Sequence, residues 1–115
     1  MKKIYLCSLE ELSKNKSIIK WVDEIKDEVI VFHDKEKKLK VFSSICPHFG
    51  GELIYDNIEK ILRCKWHGWK FDTSNGICIN NSVRTRAKQI EFKIDPDPIT
   101  NYKNDVFNKL IYLIL

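Results

Sequence analysis

The chain has 115 residues, a length that corresponds to one domain over residues 1–115 and excludes a two-domain enzyme. Hydrophobic residues make up 43% and charged residues 31% of the sequence, which is typical of a folded globular protein rather than a disordered or fibrous chain. The formal net charge is +4, but bases and acids are interspersed and no basic stretch alternates with aromatic residues. We therefore expect no nucleic-acid partner.

Apolar runs in this sequence are too short for a membrane span. The longest, residues 110–115, has six residues, against about 20 that a membrane helix requires. Lysines near the N-terminus resemble the start of a signal peptide, but Ser8, Glu10 and Ser13 interrupt any apolar region after them. We expect a cytoplasmic protein with no membrane partner.

The first half of the chain is typical of strands. Ser8 and Glu11 have the spacing of a capping box, which predicts one short helical turn after the first strand. The charged residues 34–38 form a tight connection between two apolar runs, which predicts a hairpin. The predicted strands are residues 3–7, 18–22, 28–33 and 39–43.

The second half is interrupted by turn residues and then returns to strands. The pattern breaks after Cys46, and residues 73–76 (Thr-Ser-Asn-Gly) predict a turn from which the chain pairs back on itself. The proline-containing residues 95–98 are expected to stop the strand before them. The predicted strands are residues 60–63, 70–72, 77–79, 89–94 and 109–114, the last sealing the sheet. The sequence thus predicts an all-β, antiparallel fold.

Two short segments carry the chemistry of this sequence. The first is Cys46-Pro47-His48, and the second is Cys64-Lys65-Trp66-His67, fifteen residues further along the chain. Each segment pairs a thiol with an imidazole on a loop, and the predicted strands bring the two loops side by side. A zinc ion accepts the same four ligands, so the donor count alone leaves zinc and iron–sulfur sites open.

The neighbours of these ligands resemble those of the Rieske family. The resemblance covers about residues 41–80, and the sequence C-K-W-H-G-W-K-F-D-T-S-N-G is similar to the Rieske domains of ring-hydroxylating oxygenases and related ferredoxins. It implies an antiparallel β-sandwich with a cluster-binding subdomain at about residues 44–80. It also implies one [2Fe–2S] cluster, with Cys46 and Cys64 on one iron and His48 and His67 on the other.

Five further residues are expected to support the site. The glycines leave room for the backbone near the sulfides, where N–H groups can donate hydrogen bonds, and Pro47 fixes the first loop. The two tryptophans could cover the cluster, although core packing explains Trp69 equally well. These supporting residues are Pro47, Gly50, Trp66, Gly68 and Trp69.

The sequence departs from its relatives at several places. Phe49 stands where many oxygenase-type loops resemble Cys-x-His-Arg-Gly, which favours a ferredoxin-like carrier over an oxygenase domain. High-potential relatives carry a disulfide between the loops, and here Gly51 and Trp66 are among the residues at those positions. Residues 81–84 lack the prolines of a typical third loop. Cys7, Cys78 and His33 are expected to be structural.

These features predict a one-electron carrier that takes electrons from a reductase and passes them to a terminal oxygenase or similar enzyme. We expect no enzyme activity and no small-molecule substrate, because a mononuclear iron site needs two further histidines and a carboxylate, and only His33 lies outside the loops. The alternatives are a Rieske module or small subunit of a larger oxygenase or reductase assembly, and a zinc-bound interaction module.

Overall fold

The computed structural model describes residues 2–47, 50–66, 68–80, 85–96 and 109–115. Within these ranges the chain forms nine strands, one short α-helix and one 3-10 turn at Asp23–Ile25. The helix, α1, is Leu9–Ser13. The strands are β1 (Lys3–Ser8), β2 (Ser17–Val22), β3 (Asp27–His33), β4 (Leu39–Ser43), β5 (Leu53–Asp56), β6 (Ile61–Cys64), β7 (Lys70–Phe71), β8 (Phe92–Pro96) and β9 (Lys109–Ile114).

The described strands form three antiparallel sheets of three strands each. The base sheet has the order β1-β9-β8, the central sheet β2-β3-β4 and the site sheet β5-β6-β7. The predicted hairpin is confirmed as β3 and β4, whose register pairs Val31 with Val41. The predicted last strand is confirmed as β9, which is the middle strand of the base sheet. The all-β, antiparallel class is therefore confirmed.

Strand β3 is buried on both faces, and this organises the layers. Val29 and Val31 face a core shared with the base sheet, whereas Ile30 and Phe32 face a second core shared with the site sheet. All four are fully buried. Because side chains alternate across a strand, a continuous apolar run is what a strand between two layers requires. The central sheet thus supports the site sheet, and the Phe32 and Tyr55 rings stack 4.4 Å apart across the second core.

The capping box predicted from Ser8 and Glu11 is confirmed. Ser8 Oγ accepts from the Glu11 N–H at 3.1 Å, and Glu11 Oε1 accepts from the Ser8 N–H at 3.2 Å. These two bonds satisfy N–H groups that a helix start otherwise leaves unpaired. The single buried residue of α1 is Leu12, which packs into the core beneath the base sheet.

Four features of the strand prediction differ from the structure. Strand β5 was not predicted. In the predicted strand at residues 77–79, Ile77 and Cys78 each form an isolated bridge rather than part of a strand. Residues 89–94 are divided: Gln89 bridges to Phe42 of the central sheet, and β8 of the base sheet starts only at Phe92. Strand β8 also extends to Pro96, which pairs with Lys109. Proline is tolerated there because β8 is an edge strand, while Asp97 and Pro98 lie outside the described residues.

Candidate metal centre

Two Cys–His loops follow strands of two different sheets. The first Cys–His loop, residues 46–51, comes after β4, and the second Cys–His loop, residues 64–69, begins at the last residue of β6. Cys46 and Cys64 are 2% and 1% exposed and belong to the same buried cluster of side chains. Of the other predicted site residues, His48 and His67 lie outside the described residues, as do Phe49 and residues 81–84.

The two loops repeat one backbone hydrogen-bond pattern. In the first, the Cys46 N–H donates to Gly51 O at 2.6 Å, and the Gly50 N–H donates to Cys46 O at 3.0 Å. In the second, the Cys64 N–H donates to Trp69 O at 2.8 Å, and the Gly68 N–H donates to Cys64 O at 3.0 Å. Each loop therefore closes on its own cysteine in the same way.

The glycine four residues after each cysteine makes this closure possible. Gly50 has φ +74° and Gly68 has φ +68°, a left-handed conformation that glycine adopts without a steric penalty. The sequence predicted that amides at these glycines could point at cluster sulfides. The structure uses both amides to close the loops on carbonyl oxygens instead.

Gly51 brings the two loops into contact. A Cβ added at Gly51 would lie 3.0 Å from Cys64 Sγ and 3.1 Å from the Trp66 ring. These distances are shorter than ordinary van der Waals contacts, so a side chain at this position would require Cys64 or Trp66 to move by a few tenths of an ångström. The thiol of the second loop therefore lies directly against the backbone of the first loop.

The supporting residues divide between surface and core. Trp66 is 66% exposed and Pro47 is also exposed, so both lie at the surface beside the loops. Trp69 is half-buried and packs against the core of the site sheet, which agrees with the core interpretation of this residue. The ring of Trp66 shields Gly51 from one side while leaving most of its own surface to solvent.

Asn80 holds the second loop from its far side, and sequence reasoning did not single it out. Its Nδ2 donates to Gly68 O at 3.1 Å, and its Oδ1 accepts from the Lys70 N–H at 2.9 Å. The Cys78 thiol also donates to this oxygen, with Sγ and Oδ1 3.6 Å apart. Asn80 lies ten or more residues along the chain from Gly68 and Lys70, whose backbone groups it binds. No local sequence pattern therefore predicts this role.

Charges beside the second loop are paired. Lys65 Nζ lies 2.7 Å from Glu52 Oε1, and the Lys65 N–H donates to Glu52 O at 3.0 Å. The hydrogen bond from Lys65 is the main reason why the pKa of Glu52 lies below its usual value. The same contact raises the pKa of Lys65. Both groups are therefore held in their charged forms next to the site.

Of the remaining sequence candidates, two are buried and one is exposed. Cys7 and Cys78 are buried, 1% and 7% exposed, as predicted. All four cysteines lie in the described part of the chain, and none of them forms a disulfide there. His33 ends β3 with an exposed side chain. No helix in the described ranges is long and apolar enough to span a membrane.

The described residues fit a cofactor that binds through sulfur. Two buried thiols project from loops of matching backbone geometry, and the contact at Gly51 shows that the second thiol is directed at the first loop. Burial favours a cofactor that brings little net charge into the low-dielectric core. Two thiolates, two sulfides and two ferric ions sum to zero charge when neutral imidazoles complete the site, so the residues and the group are compatible.

Known proteins resemble this chain in sequence and fold. Residues 2–93 match the family model of the Rieske [2Fe–2S] domain. The phthalate 4,5-dioxygenase oxygenase subunit of Pseudomonas putida is 33% identical over 73 residues, 63% of this chain and 17% of that protein. A cholesterol 7-desaturase of Ciona intestinalis is 36% identical over 63 residues, 53% of this chain and 13% of that protein. This chain thus spans less than a fifth of either curated relative.

Among solved structures, the ferredoxin of carbazole 1,9a-dioxygenase from Nocardioides aromaticivorans has a TM-score of 0.68 at 16% identity. The similarity covers 97% of both chains, and at this identity it shows the fold alone. The family model, in contrast, covers well over half of the chain. This chain therefore belongs to the Rieske [2Fe–2S] family, whose cofactor is one [2Fe–2S] cluster.

Proposed function

We propose that this chain is a one-electron carrier in which Cys46 and Cys64 bind one iron of the cluster and His48 and His67 bind the other. The observation that carries the proposal is the repeated loop geometry: two buried cysteines, each at the start of a loop closed by the same pair of hydrogen bonds. Because the two loops match in backbone geometry, this observation supports one site shared by both cysteines rather than two unrelated cysteines. The two histidines are assigned from their place in the motif.

When bound, a [2Fe–2S] cluster supplies reversible uptake of one electron. The chain's own residues set the conditions for that step. The buried cysteines keep water from the inner half of the site, and the central sheet supports the loops from below. Gly51 allows the loops to approach closely enough to share one group. We propose a single domain over residues 1–115, with residues 44–80 forming the cluster-binding part.

The proposed partners are a reductase that donates the electron and a terminal oxygenase or similar enzyme that accepts it. Relatives of this chain are oxygenase subunits, which supports a redox partner in general. We propose that the chain itself turns over no small-molecule substrate. Its sequence has three histidines, and after two are assigned to the cluster only His33 remains for any second iron site.

A second candidate function is a Rieske module or small subunit that acts only inside a larger oxygenase or reductase. The observation that favours this function is that the region similar to this chain makes up only 17% and 13% of two curated relatives. The two candidates share the same cluster and differ in whether the electron leaves to a separable partner. Native pull-down from the source cells distinguishes a transient redox partner from a permanent assembly.

The test of the shared claim is the metal content of anaerobically purified protein. We expect about two iron atoms and two acid-labile sulfides per chain, a visible colour, and bleaching on one-electron reduction. One zinc ion per chain with no labile sulfide would instead identify a zinc-bound interaction module. Iron and sulfide without reversible reduction would leave the cluster in place and reject the carrier function.

A further inference from the structure

A chain of polar contacts connects the central sheet to both Cys–His loops. Lys65 Nζ lies 2.7 Å from Glu52 Oε1, and the nearby carboxylate of Glu28 on β3 also helps to raise the pKa of Lys65. Ser44 Oγ donates to Glu28 Oε1 at 2.6 Å. We name these four residues, Ser44, Glu28, Glu52 and Lys65, the carboxylate network.

The main chain follows the same route as the side chains. The Ser44 N–H donates to Glu28 O at 2.7 Å, and the Lys65 N–H donates to Glu52 O at 3.0 Å. Between them, the Leu53 N–H donates to Ser44 O at 2.6 Å. The network is therefore fixed to a hydrogen-bonded backbone at each step, which limits how far its side chains can move.

The network reaches each loop at its cysteine. Ser44 precedes Cys46 by two residues, and Lys65 follows Cys64 directly. Ser44 is 1% exposed, while Glu28 and Glu52 are half-buried and the Lys65 side chain is 53% exposed. An unpaired lysine at that exposure would extend into solvent, where its charge is farther from the site and better screened. The pairing keeps the ammonium beside the loop.

We propose that Glu52 is a positioning residue for the cluster, which fixes the Lys65 ammonium beside the second Cys–His loop. The main chain next to Glu52 is joined to the central sheet by the hydrogen bonds from Leu53 to Ser44 and from Ser44 to Glu28. Reduction adds one negative charge to the site, so a fixed cation beside it stabilises the reduced state. The inference rests on the proposed [2Fe–2S] function. It assigns to Lys65 a charge effect on the midpoint potential and to Glu52 the placement of that charge.

The test begins with the midpoint potential of purified holoprotein carrying Lys65→Met. Loss of the fixed cation should shift the midpoint to more negative values, and Lys65→Arg, which keeps the charge and the carboxylate partner, should restore it. The matched control is Lys3→Met. Lys3 pairs with Asp95 at 2.6 Å on the base sheet, with a side chain 47% exposed, and its loss should leave the midpoint unchanged.

A double-mutant cycle then separates positioning from simple charge. Glu52→Gln has two opposing effects on the midpoint potential. Removing the negative charge raises the midpoint, whereas releasing the Lys65 ammonium lowers the midpoint. We therefore expect Glu52→Gln to raise the midpoint less in the parent protein than in the Lys65→Met background. The reduced-state paramagnetic resonance spectrum should broaden in Glu52→Gln, because the second loop loses a fixed neighbour.

The possible results separate failure of the positioning role of Glu52 from failure of the proposed [2Fe–2S] function. Equal shifts of Glu52→Gln in both backgrounds would show a charge effect without positioning and overturn the inference, as would an unchanged midpoint in Lys65→Met. If the parent protein binds no [2Fe–2S] cluster, the proposed function fails instead. If a variant binds its cluster too weakly for a midpoint to be recorded, the rate at which the freshly prepared holoprotein loses the cluster on warming is measured instead, and a rate equal to that of Lys3→Met overturns the inference.

Discussion

Gly51 of the first Cys–His loop lies directly against Cys64 of the second, with the position of an absent Cβ 3.0 Å from Cys64 Sγ. Gly51→Ala would place a methyl group in this contact and separate the loops. Overpacking of this kind costs about 1–3 kcal/mol, and we expect a reduced iron content per chain as well as a lower free energy of unfolding. Iron analysis and denaturant unfolding of the purified variant measure both quantities.

The control for this change is Gly50→Ala. Gly50 has φ +74°, but its missing Cβ has no neighbour within 4 Å. Alanine there should cost about 1–2 kcal/mol of backbone strain without a loss of iron. Full iron content and parental stability in Gly51→Ala would contradict the proposed approach of the loops.

Cys64→Ser and Cys78→Ser test which thiols serve the cluster. Both cysteines are buried in the core of the site sheet, so a purely structural effect should be similar in the two variants. We expect Cys64→Ser to lose the cluster and Cys78→Ser to keep it, because serine at position 78 can still donate to Asn80 Oδ1 as the thiol does. Visible absorption of the purified variants gives the answer, and loss of colour in both would implicate Cys78 as a ligand.

Sequence reasoning identified the strands of the first half because their patterns are local. Within the predicted strand at residues 28–33, residues 29–32 form a continuous apolar run, and the structure places this run between two layers. Ser8 and Glu11 form their capping box within four residues of chain. Interactions of this range are determined by neighbouring residues, so a single sequence contains what is needed to predict them.

Strand β5 was missed because its side chains alternate between buried and half-exposed positions, whereas its sequence does not alternate between apolar and polar residues. Leu53 and Tyr55 are buried, but Ile54 between them is also apolar and stands half-exposed. The preceding glycines further suggested a loop. The strand exists because it pairs with β6, where Leu53 lies opposite Cys64, and that pairing partner is not visible in the local pattern.

The site was predicted at the level of its motif and not of its supporting contacts. The two Cys–His segments mark the loops by themselves, whereas Asn80 and the carboxylate network act through partners distant in sequence. The strand predicted at residues 89–94 was wrong for a related reason. The alternation of these residues is typical of a strand, but the segment leaves the central sheet before it joins the base sheet. A pattern of alternation does not specify which sheet a strand joins.

Cys7 should react slowly with alkylating reagents. Burial raises the pKa of this thiol to about 11 from its usual 9.0, and the nearby Glu11 carboxylate contributes further. Below pH 9 the thiol stays protonated, and a rise of two units lowers the reactive thiolate about a hundredfold. Iodoacetamide labelling of native holoprotein at pH 8, followed by peptide mass spectrometry, should find Cys7 unmodified, with labelling increasing toward pH 11. Rapid labelling at pH 8 would show that the thiol is accessible.

The helix cap provides a stability change remote from the site. Ser8→Ala removes the acceptor for the Glu11 N–H and should lower the free energy of unfolding by about 1 kcal/mol. The midpoint potential should not change, because α1 packs on the base-sheet core. Urea unfolding and voltammetry of the same preparation measure the two effects. A shifted midpoint potential would contradict the expectation that the helix cap does not influence the site.

The potential of the site depends on the hydrogen bonds that its sulfurs accept. Donors to sulfur stabilise the more negative reduced state and raise the midpoint. Trp69 and Phe71, at the end of the second Cys–His loop and just after it, have no hydroxyl group that could donate to a sulfur. The Cys46 and Cys64 amides donate to carbonyl oxygens, and none of the cysteines forms a disulfide in the described chain. We therefore predict a midpoint at the low end of the Rieske range.

Protein-film voltammetry of the holoprotein at neutral pH tests the central claim most directly, since it measures in one experiment whether the chain exchanges a single electron reversibly and at what potential. The account predicts one reversible one-electron wave at roughly −150 to −50 mV, suited to electrons from a nicotinamide-linked reductase, and an upward shift in Phe71→Tyr if the added hydroxyl reaches a sulfur. A midpoint above about +100 mV, or no reversible wave from protein that holds two iron atoms, would contradict the low-potential carrier.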